Sequence, residues 1–105
     1  MDNIFKQLEE ILEQRKNADT NNSYVSSLYQ KGTDEILKKI GEESAEVIMA
    51  TKDDDENKII YEVADLWFHT MVLLGHKNIK MDKIEQELSR RFGLSGLEEK
   101  ANRNK

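Results

Sequence analysis

The chain has 105 residues, with 16 Lys and Arg against 21 Asp and Glu, a net charge of -5, and neither Cys nor Pro. One domain spanning 1–105 is expected, burying roughly 60–70% of its unfolded surface; the acidic balance excludes a general nucleic-acid binder, and the absence of Cys excludes disulfides and thiolate metal sites. No stretch approaches the ~20 apolar residues of a membrane span, and the N-terminus MDNIFKQLEE lacks the apolar core of a signal peptide, so no membrane partner and a cytoplasmic location are expected.

Residues 2–16 place Ile4, Phe5, Leu8, Ile11 and Leu12 at helical spacing, with Asp2 available as a cap, and predict an amphipathic helix. The polar run 17–22 reads as a loop, because Asn, Asp and Thr side chains compete for helix hydrogen bonds. Ser23 opens a short helical stretch through Val25, Leu28 and Tyr29 that stops at Gly32, a residue suited to positive φ. Thr33, followed by Asp34 and Glu35, reads as the cap of a third helix over 34–52. Stepping along that helix from Ile36 through Ile40, Glu43, Val47 and Ala50 puts Glu43 on the apolar stripe.

The run Asp53-Asp54-Asp55-Glu56 suits a solvated connection and the start of a fourth helix over 57–74. Ile59, Ile60, Val63, Leu66, Trp67, Phe68, Met71 and Val72 cover nearly its whole circumference. An all-round apolar helix must be buried on several sides, so a homodimer built through this helix is expected. Gly75 is expected to end it, leaving His76 just beyond. Asp82 with Glu85 reads as an acidic capping box opening a last helix through Ile84, Leu88 and Phe92 that Gly93 closes. The tail from about 94 is expected to order on a partner chain. Strand-like alternation is missing, and the class is all-α.

The chemistry lies in two acid pairs, Glu43-x-x-Glu46 and Glu62-x-x-Asp65, with Glu42 beside the first. Residues three apart on a helix share a face, their Cβ atoms roughly 5–6 Å apart. The short connection at 53–56 favours antiparallel packing, with axes about 8–10 Å apart, which sets one pair opposite the other. Burying an unpaired carboxylate costs several kcal/mol, so acids aimed inward call for a cation. Oxygen donors favour a hard ion, Mg²⁺ with Mn²⁺ as a substitute. A di-iron bundle would show Glu-x-x-His motifs instead. Against this stands a plain solvated acidic face, which a chain with 21 acids readily generates.

Glu42-Glu43-x-x-Glu46 followed by Glu62-x-x-Asp65 resembles the signature of the all-α nucleotide pyrophosphohydrolases, the MazG-like superfamily. Ser23-Tyr24-Val25-Ser26-Ser27-Leu28, Lys31-Gly32, Ile36-Leu37-Lys38-Lys39-Ile40-Gly41, Ala64-Asp65-Leu66-Trp67-Phe68-His69 and Arg90-Arg91-Phe92-Gly93 narrow the resemblance to the phosphoribosyl-ATP pyrophosphohydrolase family of histidine biosynthesis, over about 4–103. The resemblance implies an antiparallel helical bundle completed by dimerisation and Mg²⁺-dependent hydrolysis of phosphoribosyl-ATP to phosphoribosyl-AMP and pyrophosphate. It also implies Glu43, Glu46, Glu62 and Asp65 as metal-binding acids, with Glu42 as the first acid of the motif.

Lys31, Lys38 and Lys39 are candidate phosphate contacts, since ammonium groups serve as point charges for flexible triphosphates. Arg90 and Arg91 are candidates for substrate or for an ion pair with a neighbouring subunit. Tyr24 and Tyr29 are candidates for an adenine or ribose contact. His69 among Leu66, Trp67 and Leu73 reads as a hydrogen-bonded core residue, and Tyr61, Trp67 and Phe68 as packing groups. Two other functions share parts of the pattern: a house-cleaning nucleoside triphosphate pyrophosphatase, and a non-enzymatic metal-binding or dimerisation module.

Overall fold

The computed structural model describes residues 3–92 and Arg103, and among them five α-helices and no strand. They are α1 (Ile4–Gln14), α2 (Tyr24–Lys31), α3 (Thr33–Lys52), α4 (Glu56–His76) and α5 (Met81–Arg90). The all-α class stands, and α3 and α4 form the expected antiparallel hairpin, packed along their length. Its turn is polar for a physical reason: Asp54 sits at φ 54° and the Asp55 carboxylate accepts the Lys58 N–H at 3.2 Å. Asp is among the few side chains that tolerate the first conformation, and it ranks high in the second role.

Leu12, Val25, Leu28, Ile36, Met71 and Val72 make the core, so each of the first four helices contributes to it. Ser23 caps α2 through a 3.1 Å bond from the Ser26 N–H, while the Ser26 hydroxyl donates to the Ala18 carbonyl at 2.6 Å. These bonds tie the 17–22 loop to α2 and leave Tyr24 in the first turn, facing α4.

Helix ends are where the sequence expectations fail. Asp2 lies outside the described residues, and Asn3 is the cap of α1, accepting the Phe5 N–H at 2.8 Å. The helix gives way after Gln14 to a 3₁₀ turn, Arg15–Asn17. Thr33 does not cap α3. Gly32 holds the cap position at φ 94°, without a side-chain bond, and Thr33 begins the helix with its hydroxyl 3.1 Å from His76 Nε2. The expected Asp82/Glu85 box is also absent: Lys80 is the cap of α5, and the Met81 N–H is taken by Glu9 of α1 at 2.6 Å. A carboxylate 72 residues away in sequence fills the role that a local side chain was expected to fill. Helix α5 stops at Arg90, so Phe92 is an exposed turn residue; Gly93 and the tail from 94, Arg103 apart, lie outside the described residues.

Gly75 does not end α4, which runs on to His76. Its role is close approach: a Cβ there would lie 2.6 Å from the Tyr29 hydroxyl, and that buried hydroxyl has no hydrogen-bond partner among the described residues. Burial holds its pKa up to about 12. Gly75→Ala in the parent chain is therefore expected to be destabilising, because overpacking costs about 1–3 kcal/mol against a helix-propensity gain of about 1. In a Tyr29→Phe background, with the obstructing oxygen gone, the same change is expected to stabilise. Urea unfolding of the four proteins of this cycle checks the reversal.

Candidate functional site

The α3–α4 hairpin brings acids from both helices together. Glu43 is buried, 8% exposed, on the inner stripe of α3 where the spacing put it. Across from it on α4 stand Glu62 and Asp65, both partly buried. Burial first, then hydrogen bonding with Asp65 and the charges of Asp65 and Glu62, push the Glu43 carboxyl up to about 7. A carboxyl withdrawn from water beside other carboxylates resists ionisation. The Lys39 ammonium lies within electrostatic reach of Glu43, but its own ion pair is with Glu42.

Glu46 lies one turn further along α3 and is exposed, as is Glu42. Glu42 pairs with Lys39 at 3.4 Å. Lys39 is held above the usual lysine range, through its interaction with Tyr24 first and its bond to Glu42 next. Lys31 and Lys38 are exposed on α2 and α3. Arg90, the last residue of α5, and Arg91 just after it both reach Glu87 within the chain, at 2.7 and 3.8 Å.

His69 is the group that sequence reasoning undervalued. It is a buried, hydrogen-bonded residue as expected, 3% exposed, yet it belongs to the acid cluster: one nitrogen of its ring and one oxygen from each of Glu43 and Asp65 lie within 4.8 Å of one another. Its Nδ1 is 2.9 Å from the Asp65 carbonyl and 3.3 Å from Asp65 Oδ1, and its Nε2 is 2.8 Å from the Tyr24 hydroxyl. A carbonyl only accepts, so Nδ1 carries the proton in the neutral ring, and Nε2 accepts from Tyr24. Both nitrogens are then engaged, which leaves the cluster an all-oxygen donor set. The available signal was the i, i+4 spacing of Asp65 and His69, which puts them one turn apart on one face.

Of the aromatic residues assigned to packing, Trp67 is 45% exposed and stacks on Phe5 with ring centroids 5.1 Å apart, while Tyr61 is 69% exposed. The outer face of α4 carries two apolar grooves, one against α1 of about 500 Å³ and one against α5 of about 450 Å³. Val63 and Trp67 line both.

Residues 5–92 match the family model described as phosphoribosyl-ATP pyrophosphohydrolase. Curated relatives named phosphoribosyl-ATP pyrophosphatase include one from Vesicomyosocius okutanii, 74% identical over 99% of each chain. One from Methylococcus capsulatus is 56% identical over 95% of each chain. Another, from Hydrogenovibrio crunogenus, is 54% identical, covering 97% of this chain and 94% of its own.

Proposed function

Because the chain belongs to the phosphoribosyl-ATP pyrophosphohydrolase family, we propose that it hydrolyses phosphoribosyl-ATP to phosphoribosyl-AMP and pyrophosphate, as a Mg²⁺-dependent homodimeric enzyme of histidine biosynthesis. The observation that carries the reading is the facing of Glu43 by Asp65 and Glu62 across the α3–α4 hairpin. Helices aligned this way cost stability through desolvation and repulsion, a cost that a bound cation offsets.

The donor set fits Mg²⁺. Cys is absent, both His69 nitrogens are taken, and carboxylate oxygens prefer hard ions, with Mn²⁺ as a substitute. Glu43, Glu46, Glu62 and Asp65 would hold the metal. When bound, Mg²⁺ supplies charge neutralisation on the phosphate oxygens and polarises a water. The protein positions the triphosphate over the cluster, and a carboxylate at its edge takes the proton of the attacking water. Glu42, exposed next to Glu43 in sequence and paired with Lys39, would support the metal shell, bind a second ion or orient that water. Lys31, Lys38 and Lys39 supply cations for the phosphates, Arg90 and Arg91 are further candidates from α5, and Tyr24 stands at the edge of the site.

The test is purified protein with phosphoribosyl-ATP against a panel of ordinary nucleoside triphosphates, scored for pyrophosphate release with and without Mg²⁺. Phosphoribosyl-ATP should be hydrolysed far better than ATP, although both carry the same triphosphate, because charge-assisted hydrogen bonds to the extra ribose 5-phosphate are strong. Equal turnover of ATP or dCTP would replace this reading with a house-cleaning pyrophosphatase. Metal binding without turnover of any substrate would leave a non-enzymatic module.

A further inference from the structure

The Tyr24 hydroxyl is committed in one direction. In the neutral imidazole its proton goes to His69 Nε2 at 2.8 Å, because the other ring nitrogen donates to the Asp65 carbonyl at 2.9 Å. A hydroxyl that has given its proton away offers only lone pairs. It is therefore a poor partner for a phosphate oxygen, which also only accepts, and a good one for a ligand O–H group. The ring around it is 50% exposed, whereas His69 and Glu43 behind it are buried. Tyr24 thus marks the outer rim of a site whose acids lie deeper.

In a nucleoside triphosphate seated with its phosphates on those acids, the group that follows the phosphates toward the rim is the ribose to which they are attached. That sugar carries O–H donors. We propose that the Tyr24 oxygen reads a hydroxyl of the triphosphate-bearing ribose, and that His69 is the positioning residue that turns the Tyr24 lone pairs toward it.

His69 links the two parts of the site, bonding the Asp65 backbone on one side and Tyr24 on the other. The Tyr24 ring meets the His69 ring edge to face, with centroids 5.8 Å apart at 84°, an orientation that fixes the phenol as well as the imidazole. The inference rests on the hydrolase reading above and specifies which end of the substrate α2 recognises.

Tyr24→Phe keeps the half-exposed ring and removes only the oxygen. It is expected to lower kcat/KM for phosphoribosyl-ATP about tenfold, the usual order for one lost hydrogen bond. Wild-type protein should lose a similar factor on the 2′-deoxy or the 3′-deoxy form of the triphosphate-bearing ribose, whichever removes the hydroxyl that is read. On that analogue Tyr24→Phe should cost nothing further. His69→Gln should reproduce the Tyr24→Phe loss, and the double variant should be no worse than the His69 variant alone. Calorimetric binding of an α,β-methylene analogue of phosphoribosyl-ATP reads the same contact without turnover, so the contact is tested even if the hydrolase reading fails. The proposal is overturned if Tyr24→Phe binds and hydrolyses like wild type. It is equally overturned if its loss multiplies with that of both deoxy analogues, which would assign the oxygen to some other donor.

Discussion

Glu43→Gln is expected to remove most activity, by more than the roughly 10–100-fold that losing an outer partner of a metal site costs, while leaving the protein folded. The carboxyl is buried and faces Asp65 and Glu62, so in the proposed site it is the most desolvated oxygen donor. Glu46→Gln, Glu62→Gln and Asp65→Asn are expected to behave alike, measured by pyrophosphate release under saturating Mg²⁺. Full activity in two of the four would sink the metal assignment. Stability should move the other way from activity. Glu43 ionises near 7 in the folded chain against 4.5 for an unperturbed carboxyl, so the folded state binds more protons across that interval. Its contribution is fully present below pH 4.5 and is lost as pH rises through about 7. Metal-free melting temperature should fall over that window in the parent chain and fall less in Glu43→Gln, whose amide has no proton to lose. Above pH 7 the variant should melt at or above the parent. Calorimetry in chelator across this pH range checks both statements.

The sequence was informative about helix existence and about the inner stripe, because both follow from spacing within one element. Glu43 sits on the apolar row of α3 whatever the partner helix does, and a three-residue turn leaves α4 little choice but to return antiparallel. Helix ends were less legible, since their orphan N–H groups accept any nearby oxygen. Asn3 and Ser23 cap locally, but the α5 N-terminus is met by Glu9 from α1, a contact that exists only once the chain has folded. Gly75 misled for a related reason. A glycine late in a helix reads as a stop, whereas here it makes room for Tyr29, which arrives from another helix. His69 shows the same limit at the site. Its core packing could be read from its neighbours along α4, while its bond to Tyr24 spans 45 residues of sequence and depends on how α2 docks.

Wild-type protein is expected to sediment as a homodimer at micromolar concentration, and Ile60→Glu with Trp67→Glu to sediment as a folded monomer. Helix α4 leaves much of its apolar surface uncovered. Ile60 is 60% exposed, Val63 39% and Trp67 45%, and on α3 Ile48 and Met49 are exposed by 62% and 61%. Each such side chain contributes about 1.5–3 kcal/mol when fully buried, and the α4 surface, continuous through Val63 and Trp67, is of the kind that marks an interaction face. Shape favours a second copy of the chain. Val63 and Trp67 form a ridge with an apolar groove on either side, so a two-fold partner offers a ridge for a groove and a groove for a ridge, the self-complementarity of an isologous contact. Such an interface typically buries about 800 Å² from each partner, within reach of one helix face with flanking residues from α1 and α5. Two carboxylates placed in it would be desolvated without counter-ions, which far outweighs the apolar contact they replace. The same substitutions leave the core of Leu12, Leu28, Ile36 and Val72 untouched, so helicity should persist in the monomer. A stable monomer of the parent chain at micromolar concentration would refute the dimer and leave the apolar face of α4 for a different partner.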